Sequence, residues 1–324
     1  MKLVAAAVSV ALLVACGGDD GADDATTSAP TTTQPAFVQV DVQAVIEIGG
    51  GEALGLTIDD SSVWAVSFET STIAKVDPAT NAVLDVVDLE GSAASALAIG
   101  NDVWVAGYGS AAGTNLYRVD ADSATLTSRF GVGELCCDLS FGDESLWAID
   151  PSGRLLLIDP ITGDLLRQDP ITIDRNAHTN VVYANGFVWF ASDTTALSRF
   201  DPTSGAIDTF DVGGGVPFVA REGLLWGASA TEIWAVDADG AVVERVGVAD
   251  SIEVLSLEVV GSELWVGIRH PGYVGAVLRI QRSSGALVQE FADIEIPARM
   301  VVGFGSLWIT DSGGSSLYRL GPLP

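Results

Sequence analysis

The stretch that decides the fold is Ser62–Val83, which reads SVWAVSFETSTIAKVDPATNAV. An apolar run around Trp64 is followed by a polar break, a second apolar run and the turn-forming sequence DPAT. Runs of the same kind recur around six further tryptophans, which are Trp104, Trp147, Trp189, Trp226, Trp265 and Trp308. The spacings between successive tryptophans are 40, 43, 42, 37, 39 and 43 residues. The stretch is therefore one copy of a sevenfold repeat.

Each copy can be divided into four short strands. In the first copy these are ALGLTID, SVWAVSF, TIAKVDP and AVLDVVDL, which are rich in β-formers and bounded by Gly, Asp, Asn and Ser. Four strands in a repeat of this length, repeated seven times, are typical of β-propeller blades. No window sustains a helical period. The predicted fold is all-β: a seven-bladed β-propeller of four-stranded blades over residues 37–324.

The two ends of the repeat array indicate how the ring closes. The seventh copy stops after LYRLGP, one strand short, and an orphan segment, Val40–Gly50, precedes the first copy. We expect this N-terminal strand to complete the last blade, since an unpaired edge there would invite aggregation. The regularly spaced tryptophans are expected to pack between neighbouring blades rather than to stack on a ligand.

The N-terminal residues read as export signals. Residues 1–15 contain one Lys and a 13-residue apolar run, the length of a signal-peptide core but too short to span a bilayer. The sequence LVAC that ends at Cys16 resembles a bacterial lipobox, which implies cleavage before Cys16 and a diacylglycerol on its thiol. The alternative is an ordinary secretory signal with an incidental cysteine. Lipidation would anchor the chain to the cell membrane on its extracytoplasmic side.

Residues 16–36 contain no Val, Ile, Leu or aromatic residue. Such a segment cannot bury enough apolar surface to offset the entropy of ordering it. We therefore predict a disordered tether that runs from lipidated Cys16 to the folded domain.

The composition limits the classes of partner. The chain has 324 residues, with 15 Lys and Arg against 43 Asp and Glu, and a formal net charge of −28. This balance argues against nucleic-acid binding, which depends on basic side chains at phosphates. Carboxylates spread over turns are typical of a soluble surface. We expect a monomer that meets the membrane through its lipid anchor and an unidentified small molecule or protein through one propeller face.

Polar residues on the inner strands are the candidate ligand site. In the segment VLSLEVV, which ends at Val260, Ser256 and Glu258 share one parity and are predicted to face the central channel. Aligning the inner strands of the other blades with this segment places further polar residues at equivalent positions, which are Thr57, Asp138, Ser140, Asn180 and Arg299. Two interpretations remain open: a small-molecule or ion site, or a structural network wetted by channel water. In the structural interpretation, Glu258 and Arg299 would be partners.

The recurring pattern W-[V/A/I]-x…[R/K]-[V/I/F]-D-P-x-[T/S]-G resembles the bacterial YncE/virginiamycin B lyase-like group of seven-bladed propellers, over residues 37–323. The pattern is architectural and specifies blades rather than chemistry. Lyase members of the group use His and Glu with a divalent metal at the propeller mouth. The resemblance therefore implies funnel-face candidates His178, His270 and Asp311, which replaces the Glu of the LWFTE-like segment.

The adjacent Cys136 and Cys137 either form a strained vicinal disulfide or remain two thiols. PQQ-dependent alcohol dehydrogenases carry such a disulfide against their quinone cofactor, but the rest of their pattern is absent here. The sequence favours a membrane-tethered binding or scaffold module without assigned catalytic residues or cofactor. A metal-dependent lyase using Mg²⁺ is the alternative, and a quinone-dependent redox protein is a third hypothesis.

Overall fold

The computed structural model describes residues 38–323, apart from residues 90, 92, 108–114, 134, 172–179, 192–195, 215–217, 230, 249–252, 271 and 273. Its described residues form strands and turns, and they include no helix long and apolar enough to cross a bilayer. The strands are β1 (Asp41–Glu47), β2 (Ala53–Ile58), β3 (Val63–Ser67), β4 (Thr72–Val76), β5 (Val83–Asp88), β6 (Ser95–Ile99), β7 (Asp102–Ala106), β8 (Leu116–Asp120), β9 (Thr125–Phe130), β10 (Cys136–Gly142), β11 (Ser145–Asp150), β12 (Arg154–Ile158), β13 (Leu165–Pro170), β14 (Val181–Ala184), β15 (Phe187–Ala191), β16 (Ala196–Phe200), β17 (Ile207–Asp211), β18 (Phe218–Arg221), β19 (Leu224–Ala228), β20 (Glu232–Val236), β21 (Val242–Gly247), β22 (Glu253–Val260), β23 (Glu263–His270), β24 (Val274–Gln281), β25 (Ala286–Phe291), β26 (Pro297–Gly303), β27 (Ser306–Asp311) and β28 (Ser316–Gly321).

These strands form seven antiparallel four-stranded sheets, which are the blades of a β-propeller. Blades 1 to 6 are β2–β5, β6–β9, β10–β13, β14–β17, β18–β21 and β22–β25, and blade 7 is β26–β28 completed by β1. The first strand of each blade is the inner strand, and the inner strands contact one another in a closed ring in which β26 meets β2. The predicted fold class is confirmed.

The two faces of the ring differ in their connections. In an antiparallel blade, the first-to-second and third-to-fourth connections lie at one end of the strands, which we call the turn face. The second-to-third connections and the links between blades lie at the other end, which we call the loop face. The turns of the turn face carry the DPAT-type sequences. In the first of them, Asp77 accepts hydrogen bonds from the Ala79 amide at 2.8 Å and the Thr80 hydroxyl at 2.6 Å.

The closure of the ring is confirmed as well. Strand β1 pairs antiparallel with β28, with Val45 opposite Tyr318. Blade 6 also holds the chain that enters β1, because Arg279 donates to the Val38 carbonyl at 2.7 Å and Gln289 to the Val40 carbonyl at 2.7 Å. The N-terminal segment thus supplies both the missing strand and a contact with the neighbouring blade.

The tryptophans are the main packing elements between blades. All eight are at most 1% exposed. Trp64 of blade 1, for example, lies in one apolar cluster with Val103 and Val119 of blade 2. Burial of an aromatic ring of this size at every junction provides much of the apolar stabilisation of the ring. The expectation that they pack between blades is confirmed.

Basic side chains join each blade to the next at the outer rim. In six junctions a Lys or Arg donates to a backbone carbonyl of the following blade. The donor and acceptor residues are Lys75 and Ala121, Arg118 and Ile161, Arg167 and Pro202, Arg199 and Ala238, Arg279 and Val38, and Arg319 and Pro78. The junction between blades 5 and 6 differs, because Arg282 of blade 6 reaches back to the carboxylates of Glu244 and Glu222.

Candidate functional site

The hydroxyl residues of the predicted channel set lie in the packing between inner strands. The Thr57 hydroxyl accepts a hydrogen bond from the Ala98 amide at 3.0 Å, and the Ser140 hydroxyl accepts one from the Tyr183 amide at 2.8 Å. Ser256 donates to the Pro297 carbonyl at 2.7 Å. In each case the partner belongs to the next blade. These three hydroxyls therefore fasten neighbouring inner strands rather than line an open surface.

The physical reason is the orientation of the blades. Propeller sheets pack face to face, so the two side-chain directions of an inner strand point to the two neighbouring blades rather than to the ring axis. Thr57 is 8% exposed and Ser256 3% exposed. Residues of the opposite parity, such as Leu56 and Met300, are partly exposed instead. Parity alone therefore does not separate channel residues from packing residues.

The remaining polar residues meet inside the channel. Arg299 of blade 7 donates through Nη2 to Oδ1 of Asp138 of blade 3 at 2.5 Å. Asn180, which directly precedes the inner strand of blade 4, donates to Asp138 Oδ2 at 2.6 Å. Blades 7 and 3 are not neighbours, so the ion pair must cross the channel. All three residues lie near the start of their inner strands, and the cluster is therefore closer to the loop face.

This cross-channel cluster keeps unused hydrogen-bonding capacity. Arg299 Nε and Nη1, and Asn180 Oδ1, have no hydrogen-bond partner among the described residues. The side chain of Arg299 is 30% exposed and that of Asp138 is 12% exposed. The cluster thus presents two guanidinium donors and one amide acceptor to the interior of the channel.

A second ion pair lies nearer the turn face. Glu258 is fully buried and accepts two hydrogen bonds from Arg221 of blade 5, at 2.7 Å from Nε and 2.6 Å from Nη2. Burial raises the pKa of the Glu258 carboxyl, and the charge of Arg221 and the Val259 amide oppose that rise. Glu258 and Arg299, which were considered as partners from the sequence, bind Arg221 and Asp138 respectively.

Sequence reasoning missed Arg221, although a signal was available. Arg221 follows Val219 by two residues, and Val219 pairs with Trp226 just as Glu258 pairs with Trp265. Extending the same registration to blade 5 would have selected Arg221. The residue also lines a shallow cleft of about 200 Å³ between blades 4 and 5 on the turn face, together with Tyr183, Asn185 and Leu224.

The funnel-face candidates do not form a metal centre in the described part of the chain. Asp311 is buried, and its carboxylate accepts the amides of Ile296 at 2.8 Å, Gly313 at 3.0 Å and Glu295 at 3.2 Å. It therefore organises the link between blades 6 and 7 and the turn between β27 and β28. His270 is half-buried at the end of β23, and His178 lies outside the described residues.

No group of three or more His, Cys, Asp and Glu side chains suited to a metal ion occurs among the residues that the structure describes. Cys136 and Cys137 begin strand β10, but their side chains lie outside the described part. The proposed vicinal disulfide therefore remains a prediction.

Comparisons with known proteins support the fold alone. No family model and no curated protein matches the sequence. A streptogramin B lyase structure aligns with a TM-score of 0.69 at 13% identity, over 87% of this chain and 97% of that one. A chain of the mitotic checkpoint complex aligns with a TM-score of 0.70 at 14% identity, over 93% and 98%. The WD40 propeller domain of Doa1 aligns with a TM-score of 0.69 at 14% identity, over 88% and 97%. Because these similar structures include both a lyase and WD40-type propellers, the shared fold does not select a function.

Proposed function

We propose that this protein is a binding module whose ligand site is the cross-channel cluster of Arg299, Asp138 and Asn180. The observation that carries the proposal is the ion pair between Arg299 and Asp138, which converges from opposite blades and, within the described part of the chain, leaves donors and an acceptor unused. A concave site with a few convergent polar groups is the usual form of a small-molecule site.

The charges of the cluster indicate a neutral polar ligand. Arg299 is already neutralised by Asp138, so a ligand gains little by bringing a charge of its own. An anion could reach only the donors that Asp138 leaves unused, and both the Asp138 carboxylate and the chain's net charge of −28 oppose its approach. A neutral group that carries an acceptor beside a donor, such as an amide or a vicinal diol, can bind Arg299 and Asn180 without breaking the ion pair.

Ligand-detected NMR with a library of small amides, polyols and carboxylates tests this proposal. We expect neutral amides or polyols to bind the wild type, and Arg299→Met to weaken them at least about tenfold, which corresponds to about 1.4 kcal/mol. The matched control is Arg154→Met, because the half-exposed Arg154 pairs with Asp150 and donates to Gln168 of the outer strand of blade 3. Equal binding by the wild type and Arg299→Met, or a preference for carboxylates, would contradict the proposal.

A catalytic function is the alternative to binding without turnover. The alternative of a virginiamycin B lyase-like enzyme predicts Mg²⁺-dependent turnover that is lost in His270→Ala or His178→Ala. The engagement of Asp311 by three backbone amides leaves its carboxylate poorly placed to act as a base. Observed turnover with that metal and histidine dependence would replace the binding proposal.

We also propose that Cys16 carries a lipid anchor and that the propeller acts outside the cytoplasm. The support is the lipobox-like LVAC sequence after an apolar run of signal-peptide length. Wild-type protein expressed in a bacterium should fractionate with membranes and show a lipid mass on its N-terminal peptide, whereas Cys16→Ser should not. Cys137→Ser is the matched control and should stay membrane-bound. A wild-type chain that is soluble and unacylated would overturn the anchor.

A further inference from the structure

Glu258 occupies a position that carries no charge in any other blade. It is the inner-strand residue paired with the repeat tryptophan, and its counterparts are Thr57, Leu97, Ser140, Val182, Val219 and Val301. The Glu258 side chain is 0% exposed, whereas the side chain of its partner Arg221 is 38% exposed. One member of the ion pair therefore has no access to water while the other already contacts it.

Arg221 is the charged side chain that meets Glu258 from the elements packed around it. The other charged residues of those elements, as far as the structure describes them, engage different partners. Glu222 pairs with Arg282, Arg299 with Asp138, Glu263 with Arg279 and Arg269 with Glu253, while His270 lies at the loop-face end of β23. Burial and the charge of Asp143 raise the pKa of Tyr183, which lines the cleft beside Arg221.

We propose that Glu258 and Arg221 form a proton-operated gate, in which protonation of Glu258 releases the Arg221 guanidinium from the channel wall into the cleft between blades 4 and 5. An ionised Glu258 must keep Arg221, because a buried carboxylate without a partner is strongly disfavoured. A neutral Glu258 has no such need, and Arg221 gains hydration by turning towards the solvent. The step consumes one proton from water and breaks no covalent bond.

The direction of the pH dependence follows from the burial. Desolvation raises the pKa of Glu258 above its ordinary value of 4.5. The gate is closed at pH values above this raised pKa and opens as the pH falls through it. The inference does not rest on the proposed ligand site, because the ion pair and the cleft lie towards the turn face while the cross-channel cluster lies towards the loop face.

Nitrogen-15 relaxation of the arginine Nε–Hε groups tests the gate in the wild-type protein. Between about pH 9 and about pH 4 we expect the order parameter of Arg221 to fall from about 0.85 to below about 0.6 as Glu258 takes up its proton. Arg319 is the internal reference in the same sample. Its Nε donates to the Ser306 hydroxyl at 2.9 Å and its Nη1 to the Pro78 carbonyl, neither of which titrates in this range, so it should stay rigid.

The Glu258→Gln variant mimics the protonated state and should show a mobile Arg221 at every pH. An Arg221 that stays rigid across the titration overturns the proposal, as does one that becomes mobile only together with Arg319. A rigid Arg221 in Glu258→Gln also overturns it. If that variant does not fold, the wild-type titration alone decides.

Discussion

At the residue scale, basic side chains serve two distinct roles. The rim residues, such as Lys75, donate to uncharged carbonyls of the next blade, and five of them also lie over a tryptophan ring, at 5.5 Å for Lys75 over Trp64. Arg221 and Arg299 neutralise carboxylates of other blades near the ring axis, whereas three of the rim residues pair with a carboxylate of their own blade. The rim contacts hold the fold, whereas the axial pairs are suited to respond to a ligand or a proton.

We predict that the two members of the axial pair near the turn face contribute unequally to stability. Arg221→Met strands a fully buried carboxylate and should lower the free energy of unfolding by about 3–5 kcal/mol at neutral pH. Glu258→Gln removes the buried charge and leaves Arg221 able to hydrate, so its loss should stay below about 1 kcal/mol. Urea unfolding measures both. Similar losses of unfolding free energy in the two variants would show that the Glu258 carboxylate does not depend on Arg221 for its stability when buried.

The deficit of Arg221→Met should also depend on pH. Without Arg221, the Val259 amide is the group among the described residues that still opposes the rise in the pKa of Glu258 that burial causes. The folded state then holds the proton more tightly than the unfolded state, so stability falls as pH rises from 4.5 through the raised pKa. The deficit should therefore shrink in acid. Arg154→Met is the control and should lose less than about 1 kcal/mol, because the buried Asp150 carboxylate keeps hydrogen bonds from the Ser152 amide, the Ser152 hydroxyl and the amide of residue 154.

At the scale of the element, β1 is the strand on which ring closure depends. Deleting Val40–Gly50 removes the outer strand of blade 7 and exposes the edge of β28. We expect the free energy of unfolding to fall by several kcal/mol, since a ladder and a buried apolar face are lost together. Chemical denaturation and light scattering measure stability and association. A truncated protein that is as stable and as monomeric as the intact domain would be inconsistent with closure by β1.

A single substitution tests how blade 6 binds the segment that precedes β1. Gln289→Leu removes the donor to the buried Val40 carbonyl and should speed hydrogen exchange in β1 about tenfold, or about 1.4 kcal/mol. Gln281→Leu is the matched control, because Gln281 donates to the Ser262 carbonyl within the same blade. Exchange in β1 should not change in the control. Equal exchange rates of the β1 amides in both variants would show that the hydrogen bond from Gln289 does not stabilise ring closure.

At the scale of the whole molecule, charge repulsion works against the compact ring. The chain carries a net charge of −28, whereas six of the seven rim contacts include a hydrogen bond to an uncharged carbonyl, which salt screens little. We predict that the melting temperature rises as NaCl increases from about 0.02 M to about 0.3 M.

A variant with fewer surface charges provides the control for this effect. Asp122, Asp164 and Asp239 are exposed, and replacing all three by Asn should reduce the dependence of the melting temperature on salt. A melting temperature that falls with added NaCl would mean that ion pairs outweigh the net repulsion.

The sequence by itself determined the blades, their number and the closure of the ring. Each blade pairs strands that are neighbours in the chain, so the tryptophan period and the DPAT-type turns carry the information locally. The missing strand of the seventh copy and the orphan at Val40–Gly50 were enough to predict the one long-range strand pairing.

Only the tertiary structure decided which side chains meet near the axis. Arg299 pairs with Asp138 across the channel, and Glu258 with Arg221 of the preceding blade. Register shifts in β22 and β26, between Val254 and Ser256 and between Pro297 and Arg299, alter the simple alternation of faces. Because the blades pack face to face, the direction of an inner-strand side chain depends on the neighbouring sheets, which no local pattern in the sequence records.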